Sequence, residues 1–129
     1  MIVGIGLDLV DVAHFKRVAQ KGGKTFFTKI LTDSEYKEWQ KLSPVQKMRF
    51  GAKRYAAKEA FAKACGTGIG EFVGLKDVGV DHDKLGRPLL RFSPNMQKRL
   101  KKKFGPSVRA EVSISDDKVA GAVVILSRD

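Results

Sequence analysis

Apolar and polar residues alternate from Ile2 to Leu9, and a period of two predicts a β-strand. Val3, Ile5, Leu7 and Leu9 share one face of it; Gly4, Gly6 and Asp8 share the other. Two glycines beside an aspartate leave room for a packed helix or for a ligand to come close. The period then lengthens. Asp11 is placed to cap a helix running to about Lys21, with Val12, Phe15 and Val18 as its buried stripe and His14, Lys16, Arg17 and Lys21 as a positive exposed part. Thr32 and Glu35 have capping-box spacing for a short helix through Trp39. Ser43 followed by Pro44 marks the start of a long helix that reaches Cys65 and stops at Gly66.

Beyond Gly70 the pattern turns to β. Strands are expected over Leu75–Val80 and Leu89–Phe92, joined by a turn around Asp83–Pro88. Ser93-Pro94 starts a basic helix that ends near Gly105. Arg109–Ser115 alternates, and Val119–Leu126 is a continuous apolar run of the kind that fills a central strand. Helices and strands mix without a strict βαβ repeat. The expected class is therefore α+β, with a mostly antiparallel sheet packed against the long helix.

The chain has 129 residues and no linker, repeat or low-complexity stretch, which predicts a single domain over residues 1–129. No apolar run approaches the roughly 20 residues that span a bilayer. The N-terminus lacks the basic region of a secretory signal. The one cysteine, Cys65, excludes an internal disulfide and a Cys-based zinc site. These features fit a cytoplasmic protein without membrane partners. The formal charge is +11, which attracts anions over long range. Nucleic acid is one such anion, and a small basic nucleic-acid-binding protein is the alternative to an enzyme. Against it, the run Lys98–Lys103 carries no interleaved aromatics and no recognition motif, and reads as a solvated helix face.

The chemistry concentrates on the long helix. Glu59 has Tyr55, Ala56, Ala62 and Lys63 as its neighbours three and four residues away. A carboxylate among small residues is costly to desolvate without a partner. Lys63 and a bound cation are both candidates, and so is an ordinary exposed Glu–Lys pair. Arg54 and Lys58 are like charges one turn apart, which a bound phosphate would relieve and two solvated side chains would tolerate. Gly66-Thr67-Gly68-Ile69-Gly70 exposes backbone but lies at a helix C-terminus, where the dipole disfavours anions. Asp8 and Glu59 offer hard oxygen ligands; two carboxylates with phosphate oxygens and waters make a common Mg²⁺ site. Cys65 reads as a small buried hydrophobe, since neither His14 nor His82 relates to it. Ser113 and Ser115 lie on the polar face of their strand.

Three blocks, in order, resemble the holo-acyl-carrier-protein synthases, the small bacterial type of 4′-phosphopantetheinyl transferase. They are Gly4-Ile5-Gly6-Leu7-Asp8-Leu9-Val10, Arg54-Tyr55-Ala56-Ala57-Lys58-Glu59-Ala60-Phe61-Ala62-Lys63, and Gly66-Thr67-Gly68. Ile30-Leu31-Thr32, Leu85-Gly86-Arg87-Pro88 and Val112-Ser113-Ile114-Ser115 extend the match over nearly the whole chain. The resemblance implies the 4′-phosphopantetheinyl transferase fold and a magnesium-dependent reaction of fatty acid biosynthesis. In it, 4′-phosphopantetheine passes from coenzyme A to a serine of apo acyl carrier protein, releasing adenosine 3′,5′-bisphosphate. It implies Asp8 and Glu59 as metal ligands and Lys63 at the transferred phosphate, the three together forming the catalytic set. It also implies a homotrimer with active sites between subunits. Coenzyme A is then expected at Arg54, Lys58, Lys63 and Gly66, and at Gly86 and Pro88 of the turn. His14, Lys16, Arg17 and Lys21 are expected to steer the acidic carrier protein. Glu59, a water on the cation and bulk solvent all stay open as the base for the serine. Many members have a histidine where this chain has Asp116 and an aromatic residue where it has Leu75.

Overall fold

A computed structural model describes residues 1–129. The elements run β1 (Ile2–Asp11), α1 (Val12–Ile30), α2 (Asp33–Gln40), α3 (Pro44–Ala64), β2 (Val78–His82), β3 (Pro88–Phe92), α4 (Pro94–Phe104), β4 (Arg109–Asp116) and β5 (Val119–Ser127). The class is α+β and every strand pair is antiparallel. The strands divide between two sheets, one in the order β1-β5-β4 and a separate hairpin of β2 and β3. The expected continuous run, β5, is the central strand of the larger sheet.

Helix α3 sits between the layers. Ala56, Ala57, Ala60, Phe61 and Ala64 meet the sheet residues Ala122, Val124 and Leu126 in one core cluster. Phe50 and Ala52 join Phe15, Phe27, Leu31 and Trp39 of the helical layer in a second. A helix lined with alanine lets its neighbours come close on several sides, which is how one helix serves two cores. Its start is secured by a capping box, with Ser43 Oγ accepting from the Gln46 N–H and the Gln46 side chain accepting from the Ser43 N–H. Thr32 and Glu35 form the expected box on α2.

Two expectations change, and one left open is settled. Helix α1 does not end at Lys21; it kinks at Gly23, whose φ of 60° and ψ of −150° break the turn, and resumes to Ile30. Its buried residues are Phe15, Ala19, Phe27 and Ile30, while Val18 is 42% exposed. Strand β2 begins at Val78 rather than Leu75, because Asp77 turns the chain first: its Oδ2 accepts from the Gly74 N–H and its Oδ1 from the Ser93 hydroxyl. The apolar face of β1 points outward. Ile5, Leu7 and Leu9 are exposed, and the glycine face is the one covered, by α3.

Strands β1 and β5 meet at their far ends as well. The Met1 ammonium donates to the Arg128 carbonyl at 2.6 Å, and the Arg128 N–H donates to the Met1 carbonyl at 2.8 Å.

Candidate active site

The covered face of β1 sets the position of Asp8. A Cβ on Gly4 would lie 2.1 Å from the Ala64 carbonyl oxygen, and one on Gly6 would lie 1.9 Å from that of Ala60. Only glycine lets the two backbones touch in this way. Two residues of strand advance about 6.6 Å, and four residues of helix advance about 6 Å. The steps Gly4-to-Gly6 and Ala64-to-Ala60 therefore stay in register, with strand and helix running in opposite directions. Asp8, the next residue on that face, arrives where the helix presents Glu59 and Lys63.

Asp8, Tyr55, Glu59 and Lys63 line one cleft of about 480 Å³. Leu9, Phe15, Val18 and Phe26 form its apolar side, the last delivered by the kink at Gly23. Lys63 Nζ donates to Asp8 Oδ1 at 3.0 Å and to the Leu7 carbonyl at 3.1 Å. The exposed Glu59–Lys63 pair is thus replaced by a cross-element pair, and Glu59 makes no salt bridge. The Tyr55 phenol, one turn before Glu59, is pushed up to about 12, first by burial, then by the charge and hydrogen bonding of Glu59, and last by Asp8. Two carboxylates on one wall suit a hard cation. No third His, Cys, Asp or Glu completes a ligand cluster, so such a cation would draw its other ligands from substrate and water.

Arg54 and Lys58 are not brought to the cleft. Lys58 is fully buried, with Nζ donating to the Ile30 carbonyl and to Glu35 Oε1, both at 2.6 Å. Glu35 Oε1 also accepts from the Thr32 N–H, and Oε2 accepts from the Val80 N–H. The Arg54 guanidinium stacks on the Phe50 ring, 3.5 Å from its centroid, with Nε 3.9 Å from Glu35 Oε2. Burial lowers the pKa of both cations, and the charge of Glu35 opposes it. These two charges are partners of a buried acid on α2. The phosphate site expected at Lys58 is corrected by its complete enclosure.

Gly66 ends α3, where the Thr67 and Gly68 N–H groups return to the Ala62 carbonyl. Gly86 and Pro88 lie on the β2–β3 hairpin, away from this chain's own cleft. His14, Arg17 and Lys21 line a groove that shares His14 and Val18 with the cleft, whereas Lys16 faces Arg49 and Lys118 on another side of α1. Within the basic run of α4, Arg99 is tied to Asp77 and the Phe72 carbonyl, and Lys103 to the Cys65 carbonyl. Cys65 is buried, and burial pushes its thiol up to about 11 against the pull of Lys103, so it is no nucleophile. Asp116 ends β4 as an exposed residue 4.0 Å from Lys53. Tyr55 and the apolar side of the cleft were not among the expected site residues; the spacing of four between Tyr55 and Glu59 was their signal in the sequence.

A family model described as the 4′-phosphopantetheinyl transferase superfamily matches residues 4–123. That is the class of transferase that the fold and the acidic cleft define. The holo-[acyl-carrier-protein] synthase of Nitrosospira multiformis is 43% identical over 129 residues, covering 99% of this chain and 100% of that one. The crystal structure of the Neisseria meningitidis holo-[acyl-carrier-protein] synthase superposes with a TM-score of 0.92 at 37% identity, over 99% of this chain and 100% of that one. The Bacillus anthracis enzyme, solved in complex with CoA (3′,5′-ADP), superposes with a TM-score of 0.83 at 35% identity, over 100% and 99%. The chain belongs to the holo-[acyl-carrier-protein] synthase family.

Proposed function

We propose that this protein transfers 4′-phosphopantetheine from coenzyme A to a serine hydroxyl of an apo acyl carrier protein, with Mg²⁺ bound and adenosine 3′,5′-bisphosphate leaving. The observation that carries the reading is that Asp8, Glu59 and Lys63 line one cleft together, with Lys63 paired to Asp8. Asp8 and Glu59 would hold the cation. When bound, it would supply Lewis-acid stabilisation of charge on the pyrophosphate oxygens. Lys63, on a half-exposed side chain tethered only to Asp8 and the Leu7 carbonyl, would set an ammonium against the transferred phosphate. The apolar side excludes water from the attacked phosphorus, and the remaining work is positioning. The groove of His14, Arg17 and Lys21 runs on from the cleft and offers cations to an acidic carrier protein.

The outward face of β1 supports assembly into a homotrimer. Ile5, Leu7 and Leu9 are at least 58% exposed and lie beside Ile125, Val123 and Gly121 across the strand pair. An apolar sheet surface of this kind marks an interface. The β2–β3 hairpin, with Gly86 and Pro88, would then reach coenzyme A bound at a neighbouring subunit's cleft.

Intact-mass spectrometry of apo carrier protein after incubation with coenzyme A and Mg²⁺ tests the reading. The carrier mass should rise by one phosphopantetheinyl group, and EDTA should prevent it. Glu59→Gln should slow the transfer by at least about 10²-fold in a protein that stays folded. An unchanged carrier mass in the complete mixture would refute the reading.

A further inference from the structure

Glu59 is the least restrained acid of the cleft. Its helical neighbour on the C-terminal side, Lys63, is turned away to Asp8 and the Leu7 carbonyl. Its neighbour on the N-terminal side is Tyr55, and side chains four apart on a helix lie one above the other. Both open into the same cleft. The Tyr55 ring packs against Phe15 with centroids 6.1 Å apart, and Phe15 is itself packed by Phe26 and Phe27 at 5.4 Å and 6.2 Å. The ring is thus braced from α1, one helical turn from Glu59 on the wall of the cleft that both residues line.

We propose that Tyr55 is a positioning residue whose hydroxyl donates to the Glu59 carboxylate and holds it in the orientation that shares one divalent cation with Asp8. This rests on the assignment of Asp8 and Glu59 as cation ligands. A free glutamate samples several rotamers, and only some aim an oxygen at a site shared with a second acid. A hydroxyl partner selects among them, and the loss of such an outer contact typically lowers metal affinity about 10–100-fold. The phenol is suited to the task, because a tyrosine hydroxyl is a hydrogen-bond donor through neutral pH. Phenylalanine at this position would keep the brace against Phe15 and lose only the donor.

The test is a Mn²⁺ titration of the full-length protein saturated with coenzyme A, following free Mn²⁺ by electron paramagnetic resonance, for the parent, Tyr55→Phe and Glu59→Gln. Tyr55→Phe should weaken Mn²⁺ binding by about 10-fold or more. Its melting temperature and its affinity for coenzyme A in EDTA should match the parent, and carrier-protein loading should recover as Mn²⁺ is raised. Parental Mn²⁺ affinity in Tyr55→Phe would overturn the positioning role. So would a deficit matched by an equal loss in coenzyme A binding, which would indicate general damage. If Glu59→Gln loses Mn²⁺ while Tyr55→Phe keeps it, the cation site stands and this inference alone falls. If Glu59→Gln binds Mn²⁺ like the parent, the cation assignment falls and takes the inference with it.

Discussion

Cys65 shows how a single buried group sets a pH limit. Its thiol is held up to about 11 from an ordinary 9.0, so between those values the unfolded chain releases a proton that the folded chain keeps. The folded state then binds more protons, and stability falls as pH rises through that window. At roughly 1.4 kcal/mol per pH unit, the loss is about 2–3 kcal/mol. Cys65→Ala should remove this part of the alkaline loss. Urea unfolding of both proteins at pH 8 and pH 11 measures it, and an identical drop in both would contradict the assignment. Tyr55 adds a loss of the same sign from pH 10 upward, which the comparison cancels. Single residues were also where the sequence was hardest to read. Glu59 and Asp8 were legible because a carboxylate among alanines and an aspartate beside glycines are each out of place. Arg54 and Lys58 looked like a phosphate pair because their true partner, Glu35, lies 23 positions from Lys58 and on another helix. Charge spacing within one helix carries no trace of such a partner.

The element that places the chemistry is β1 lying on α3. Its contact is backbone on backbone, so it tolerates no side chain. Gly6→Ala would put a methyl carbon 1.9 Å from the Ala60 carbonyl oxygen and 2.6 Å from the Ala64 nitrogen. Neither atom belongs to a flexible side chain, so the strand itself must move. The expected cost is about 1–3 kcal/mol, the range for overpacking, with loss of carrier-protein loading because Asp8 moves with the strand. Gly70→Ala, at a site with nothing within 4 Å of the added carbon, should leave both unchanged. Thermal melts and the mass-shift assay decide; a Gly6→Ala protein as stable and active as Gly70→Ala would refute this account of the packing. Most elements were legible because caps and periods are local signals. The alternation of β1 showed two faces but could not say which was inward. Hydrophobicity favours burying Ile5, Leu7 and Leu9, whereas close approach to α3 requires the glycines, and the second consideration wins. The helix after Gly23 was missed because a Gly22-Gly23 pair is a helix-breaking signal, whereas the chain only kinks there and turns helical again to Ile30.

For the whole molecule, the outward apolar face of the sheet is the feature that most needs a partner. Leu7→Asp would place a charge opposite Val123 in the middle of that face. The parent should sediment as a trimer and the variant as a monomer, with carrier-protein loading lost in the variant. Equal sedimentation of the two would remove this face from the assembly. The sequence offered the trimer only through likeness to a family, since exposure is a property of the fold. The pairing of β1 with β5 has a further consequence. Met1 and Arg128 are bonded across 127 positions, and closing so long a loop is entropically costly and slow. During synthesis, Asp8 leaves the ribosome well over 100 residues ahead of β5. The strand that carries the first acid of the cleft therefore waits, unpaired and with its greasy face bare, until β5 has been made.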